Sequence, residues 1–275
     1  PQFSKEERDR KAALQQKLQG VGVSDSYYSA LVNESFWQKK PNLRGKSLSN
    51  ETKDEKLRKE WDEIGRDWLN RLSFLNPQYS SLLGSYGRDD LAKWKAEVNN
   101  RNLSTRALYD LADAEFFYRF PEQEGKNFID KPIGQIWYAI VNSKVDAVQN
   151  GTALQRIVFP KGAIGDKVSG TLKPGEGKAY IAGLDANQIM TVNLQADPKI
   201  LFSVYPTTSD QKPFLEDTTK RNWSGTLPKS GFYEFVVVSK GTKPLEYTIE
   251  LTAENPAPPP EASPSPTTPS ETPSP

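Results

Sequence analysis

Apolar residues in the first half of this chain recur at helical spacing. Leu57, Trp61, Ile64, Trp68 and Leu72 fall four, three, four and four residues apart, and Ile133, Ile136, Trp137, Ile140, Val145 and Val148 cover one broad stripe. Each pattern lines one face of an α-helix. The β-branched residues of the second stripe oppose helix slightly, because they lose side-chain rotamers there. Shorter amphipathic helices are predicted over 4–18 and 88–98, where Leu14 and Leu18 recur as Trp94 and Val98 among charged neighbours.

The same elements recur in the same order. Residues 23–48 and 103–128 align without a gap, eighty positions apart, matching Ser24 with Ser104, Leu31 with Leu111, Asn33 with Asp113, Phe36 with Phe116, Trp37 with Phe117, Pro41 with Pro121, Gly45 with Gly125, Lys46 with Lys126 and Leu48 with Phe128. A four-residue insertion around 49–56 then brings Trp61 onto Trp137 and Ile64 onto Ile140. Ser24 and Ser104 stand where a helix needs an N-cap. Pro41 and Pro121 stop the helices that follow, and Gly45 and Gly125 permit a positive-φ turn. The pattern predicts two related three-helix units, about 4–72 and 85–150, sharing one core within an α-helical domain at 1–153. What recurs is apolar, capping or turn-forming, so the repeat preserves architecture and not an obvious chemistry.

Beyond about residue 151 the texture changes to short β-branched and aromatic segments punctuated by Gly, Pro, Asn and Asp. Strands are predicted at 154–159, 167–172, 178–183, 189–195, 200–205, 222–227, 232–239 and 245–252, the pattern of an antiparallel β-sandwich over 154–253. In the segment 189–195, Met190, Val192 and Leu194 outweigh Ile189, Thr191 and Asn193 as the inward set. Residues 254–275 are rich in Pro, Ser, Thr, Glu and Ala, a composition that buries too little apolar surface to fold, and read as a disordered tail. The fold class is α+β: duplicated helical domain, sandwich, tail.

The chain has no cysteine and no histidine. That removes disulfides, thiolate nucleophiles, Cys/His zinc sites and imidazole bases, and no cofactor is implied. Net charge is +1, with 24 basic and 22 acidic residues before residue 156 and 12 and 13 from it onward, so no phosphate-tracking surface for nucleic acid is expected. No apolar run approaches the ~18 residues of a membrane span. The start at Pro1 is that of a processed or excised part of something longer.

The blocks GTLKPG from Gly170, YIAGLDANQIMTVNL from Tyr180, LFSVYP from Leu201, WSGTLPKSGFYEFVVV from Trp223 and YTIEL from Tyr247 resemble the bacterial pre-peptidase C-terminal domain, a small β-sandwich appended to secreted proteins. Asn187 departs from the family's usual Gly, and Glu176-Gly177-Lys178 replaces the acidic turn associated with calcium, so no metal site is carried over. The stretches LYDLAD from Leu108 through GKNF from Gly125, PIGQIWYAI from Pro132 and NGTALQRI from Asn150 resemble the C-terminal non-kinase region of cyanobacterial serine/threonine protein kinases, over roughly 23–253. No Gly-rich loop, HRD or DFG segment is present, so this chain carries no kinase machinery of its own.

Three residues stand out as candidate binding positions. Lys46 and Lys126 follow the repeated Gly in a Pro-x-x-x-Gly-Lys turn, where converging N–H groups could hold an anion; a lysine-bearing turn is the plainer reading. Trp223, flanked by Asn222 and Ser224, is placed on a half-buried strand as a surface aromatic. Trp37, Trp61, Trp68, Trp94 and Trp137 could line a sugar-stacking groove, but the apolar stripes that carry Trp61, Trp68 and Trp137 favour the core. Asp110, Asp113 and Glu115 do not face one point on a helix and read as solvated or capping. Asp185, Asp197, Asp210, Glu216 and Asp217 read as solvated turn residues.

The resemblances imply a non-catalytic extracytoplasmic binding or sensory module of the cell envelope, an accessory region of or related to a kinase, with an unknown protein or envelope glycan as partner. A pure spacer, and a carboxylate-based hydrolase of wall glycan, are the alternatives. The hydrolase would need two buried carboxylates paired from different helices, the binding module an aromatic-rich or charged groove.

Overall fold

In the computed structural model, which describes residues 3–264, both apolar stripes are helices. The first unit comprises α1 (Lys5–Val21), α2 (Asp25–Lys39) and α3 (Glu55–Leu72). A single turn, α4 (Pro77–Ser80), leads to the second unit: α5 (Arg88–Asn99), α6 (Thr105–Arg119) and α7 (Gly134–Gln149). The Ser24 and Ser104 side chains accept from the N–H groups of Tyr27 and Ala107, satisfying donors that a helix start leaves free. Both helices end alike, with Lys40 at φ −133° and Phe120 at φ −131°, followed by 3-10 turns at Pro41–Leu43 and Pro121–Gln123. Gly45 and Gly125 then take φ +75° and +76°, the left-handed region that a Cβ disfavours. One side-chain bond also recurs: Trp61 Nε1 donates to Asn33 Oδ1 at 2.7 Å, and Trp137 Nε1 to Asp113 Oδ1 at 2.8 Å.

The second half is a two-sheet sandwich of nine strands: β1 (Leu154–Arg156), β2 (Gly165–Leu172), β3 (Gly177–Leu184), β4 (Ile189–Ala196), β5 (Ile200–Tyr205), β6 (Leu215–Thr218), β7 (Asn222–Thr226), β8 (Gly231–Ser239) and β9 (Leu245–Glu254). The inner sheet runs β1-β3-β8-β5-β6 and the outer one β2-β9-β4-β7. All pairings are antiparallel except β1 with β3. The strand at 154–159 is shorter than its composition predicts, and β6 was not expected: LEDT offers one apolar residue and no alternation. Met190, Val192 and Leu194 face inward as their pattern requires, while Ile189 is exposed. Asn187 adopts φ +70°, which Asn is among the few residues other than Gly to tolerate. Between the sheets, the hydroxyls of Tyr180 and Tyr247 meet at 2.6 Å in the core. Residues 255–264 form neither helix nor strand, and the rest of the proposed tail lies outside the described residues.

The outer sheet alternates buried and exposed, whereas β8 and β5 are buried almost throughout. A sheet buried on both faces needs a second cover, and here the helices supply it. Ala179, Ile181, Tyr205, Val236 and Val238 point away from the sandwich core and join the apolar cluster of the helices. Helix α6 lies against β3 and β8, giving three layers: helices, inner sheet, outer sheet. Polar contacts pin the seam. The Tyr205 hydroxyl donates to Asp110 Oδ2, Ser104 N–H donates to Glu234 Oε1 at 2.5 Å, and the Arg106 guanidinium reaches the carbonyls of Pro206 and Gln211 at 3.1 and 2.9 Å.

Candidate binding cleft of the first helical unit

Lys46 lies beside a cavity of about 400 Å³ between the three helices of the first unit and the loop 45–48. Phe36, Trp37, Leu48 and Trp61 supply its apolar walls, and Lys11, Lys46, Arg58 and Asp62 its charges. Both indoles are partly exposed, and Arg44 sits over the Trp37 ring at 5.7 Å.

Beneath this cleft is a chain of buried ions. Glu7, Arg58 and Asp62 are 1, 7 and 2 % exposed. Arg58 grips Glu7 with two bonds, Nε to Oε1 at 2.6 Å and Nη2 to Oε2 at 2.9 Å, the fork geometry that favours arginine for carboxylates. Its remaining nitrogen, Nη1, donates to the carbonyls of Ser49 and Glu51 at 2.5 and 2.9 Å, holding the inserted loop against α3. The bond from Arg58 holds Glu7 below the usual carboxylate range against the opposing pull of burial. Asp62 accepts from Arg10 Nε at 2.8 Å and from Lys11 Nζ at 3.2 Å. Every buried carboxylate here is paired, as burial demands.

The corresponding space in the second unit is built differently. Through the offsets that relate the units, Lys11, Arg58 and Asp62 become Leu91, Gly134 and Tyr138. Leu48 becomes Phe128, whose ring lies 4.6 Å from Phe116 and 5.8 Å from Phe117, filling the space that stays open beside Leu48. Gly134 lets α7 press onto the preceding turn; a Cβ there would lie 2.6 Å from the Phe128 carbonyl oxygen.

The three candidate residues fall in three places. Lys46 borders the cleft, and its N–H is spent on the Leu43 carbonyl at 2.9 Å. Lys126 is exposed on the equivalent turn, its N–H bonded to Gln123 at 3.0 Å. In both turns the lysine backbone N–H is therefore committed to the chain itself. Trp223 is partly buried on β7, stacked on Phe214 with ring centres 4.1 Å apart, and so closes the open edge between the sheets. Of the helical tryptophans, Trp68, Trp94 and Trp137 are buried, while Trp37 and Trp61 face the cleft.

Asp110 and Asp113 are half-buried and not freely solvated. Helix α6 packs on the inner sheet, so its residues 110 and 113 turn toward a cavity of about 490 Å³ at the seam, which Asp217 and Lys240 also line. Burial, with nearby Asp217, Asp113 and Glu216, pushes the Asp110 carboxyl up to about 8 despite the bond from Tyr205. Burial likewise raises Asp113, although Trp137 donates to it. Glu115 instead pairs with Lys144 at 2.7 Å. Lys11, Arg58 and Asp62 went unnoticed in the sequence because they match nothing in the second unit. Among the described residues, no group of three or more acidic side chains is arranged to hold a metal ion, and no helix is long and apolar enough to cross a membrane.

No known family model matches the chain. It is similar to the serine/threonine-protein kinase-like protein E of Synechocystis sp., 24% identical over 247 residues, an alignment covering 84% of this chain and 39% of that protein. The chain thus spans well under half of that relative's length. Among solved structures, the sandwich is similar to PliG of Aeromonas hydrophila, a periplasmic inhibitor of g-type lysozyme, with 20% identity, 37% of this chain and 96% of that chain covered, and a TM-score of 0.32. It is also similar to the pre-peptidase C-terminal domain of a Bacillus anthracis collagenase, with 10% identity, 36% and 94% coverage and a TM-score of 0.29.

Proposed function

We propose that this chain is a non-catalytic binding or sensory module of the cell envelope, acting outside the cytoplasm as an accessory region of, or related to, a serine/threonine kinase. The first-unit cleft takes its ligand. One observation carries this reading: two helical units share caps, turns and an indole bond, yet among the described residues the place that is an open cleft over charged side chains in the first is occupied by apolar side chains in the second. Phe128, Gly134 and Tyr138 fill the equivalent place with apolar packing in the second, so the unit's architecture does not require the ions. Buried ion pairs seldom stabilise a fold better than apolar packing, which supports a selected role for them.

The similarity to the kinase-like protein over 84% of the chain supports the kinase connection. An extracytoplasmic site accords with the lack of cysteine and with the resemblance of the sandwich blocks to domains of secreted proteins. The domain division at 153/154 and descent of the helical units from one duplicated ancestor belong to the same reading. A non-catalytic role is supported by the state of the seam acids: Asp110 and Asp113 lie on one helix and are bonded to Tyr205 and Trp137.

Co-sedimentation of the 275-residue chain with insoluble envelope material from Synechocystis tests the reading. The chain should be retained, and Trp37→Ala with Lys46→Ala should release it while leaving the circular dichroism unchanged. Equal retention of the double variant would reject the cleft as the binding site.

A further inference from the structure

The chemistry offered by the first-unit cleft identifies the class of ligand. Its carboxylate and amide acceptors are already engaged. Asp62 is held by Arg10 and Lys11, and Asn33 Oδ1 accepts from Trp61. Three donors remain free: among the described residues, Lys46 Nζ, Asn33 Nδ2 and Trp37 Nε1 make no hydrogen bond within the chain, and all three residues border the cavity. Glu7 pairs with Arg58 and Asp62 with Lys11, so Lys46 is the cation that leaves the cleft with a net positive charge. A donor-rich, positive cleft selects an acceptor-rich anion.

The walls narrow the choice further. Trp37 and Trp61 present partly exposed indoles, which suit a flat, weakly polar ring face. At about 400 Å³ the cleft lies within the range of small-ligand sites. An acidic peptide supplies charge without a rigid ring, and a neutral sugar supplies the ring without charge.

We propose that the open cleft beside Leu48 holds an acidic sugar unit of a glycan, its pyranose face on Trp37 or Trp61 and its carboxylate on Lys46. This rests on the cleft being the binding site, as argued above. The second unit indicates how to close it, since Phe128 occupies there what Leu48 leaves open.

The test is calorimetric titration of the full chain with trigalacturonate, cellotriose and tetraglutamate in parallel, using the wild type, Leu48→Phe and Lys46→Ala. Trigalacturonate should bind, at least tenfold more tightly than cellotriose. Leu48→Phe should weaken it tenfold or more without lowering Tm, and Lys46→Ala should weaken it about tenfold and flatten its salt dependence. Should Leu48→Phe fail to fold, the Lys46→Ala result decides. Equal binding of cellotriose, insensitive to Lys46→Ala, overturns the acidic class but leaves the cleft. Binding of tetraglutamate alone, blocked by Leu48→Phe, overturns the saccharide and also leaves the cleft. Trigalacturonate bound equally by both variants, or not bound at all, overturns the inference; envelope retention insensitive to Leu48→Phe would overturn the underlying site as well.

Discussion

Replacing Asp110 by asparagine should change how stability depends on pH more than it changes stability at any one pH. The carboxyl sits at the seam between α6 and the inner sheet, bonded by Tyr205 and facing Asp113, Asp217 and Glu216, with Lys240 lining the same cavity. Burial and these like charges raise it from 3.8 to about 8, so the folded chain keeps a proton that the unfolded chain releases above about pH 4. Stability from this group is therefore complete below about pH 4, falls as pH rises toward 8, and is flat beyond. At about 1.4 kcal/mol for each tenfold change in proton affinity, the loss is at most about 6 kcal/mol, and about 2 kcal/mol where water follows the ionised group into the adjoining cavity. The amide in the variant cannot ionise, so Asp110→Asn should match the wild type within about 1 kcal/mol at pH 4 and exceed it by about 2 kcal/mol or more at pH 8.5. Urea unfolding of both proteins across pH 4–9 measures this directly. Glu234, also raised by burial, titrates in both proteins and cancels in the difference, whereas Asp113, whose charge acts on Asp110, is relieved of that repulsion in the variant and adds to the same trend. A difference between variant and wild type that is constant across the range would refute the placement of Asp110.

Two further substitutions probe the helical units. Arg58→Ala leaves Glu7 buried without its partner and frees the loop at Ser49 and Glu51; it should cost about 2 kcal/mol, at the low end for a buried pair because the ions lie directly beneath an open cleft. Because Arg58 depresses Glu7, that contribution is present above the ordinary glutamate pKa and fades as pH falls, so the gap to wild type in urea unfolding should shrink toward pH 3. Gly134→Ala drives a Cβ onto the backbone of Phe128 and Ile129, and a thermal melt should show a loss of about 2 kcal/mol, whereas Gly20→Ala on α1, with open space around it, should be neutral or stabilising.

Periodicity and punctuation made most of this fold legible. The stripes at 57–72 and 133–148 lie on α3 and α7, and Met190, Val192 and Leu194 face the sandwich core, because burying one face of an element leaves a period in the chain. β6 left no such trace. The helical cover on the inner sheet did leave one: FVVV in β8 is a continuous apolar run, the mark of a strand buried on both faces. The burial of Asp110 and Asp113 depends on that cover, which alternation within one strand or helix does not encode. The cleft was written in the sequence in another form. Alignment of the units draws attention to what they share, whereas Lys11 against Leu91, Arg58 against Gly134 and Leu48 against Phe128 carry the signal by differing.

The chain's six tryptophans give the most direct test of the cleft as a ligand site, because each indole N–H yields its own proton–nitrogen signal in solution NMR. Trigalacturonate titrated into labelled protein should move the indole signals of Trp37 and Trp61, leaving Trp68, Trp94, Trp137 and Trp223 in place. Movement at Trp223 alone would put the site on the sandwich edge, and six unmoved signals would contradict binding in the cleft altogether.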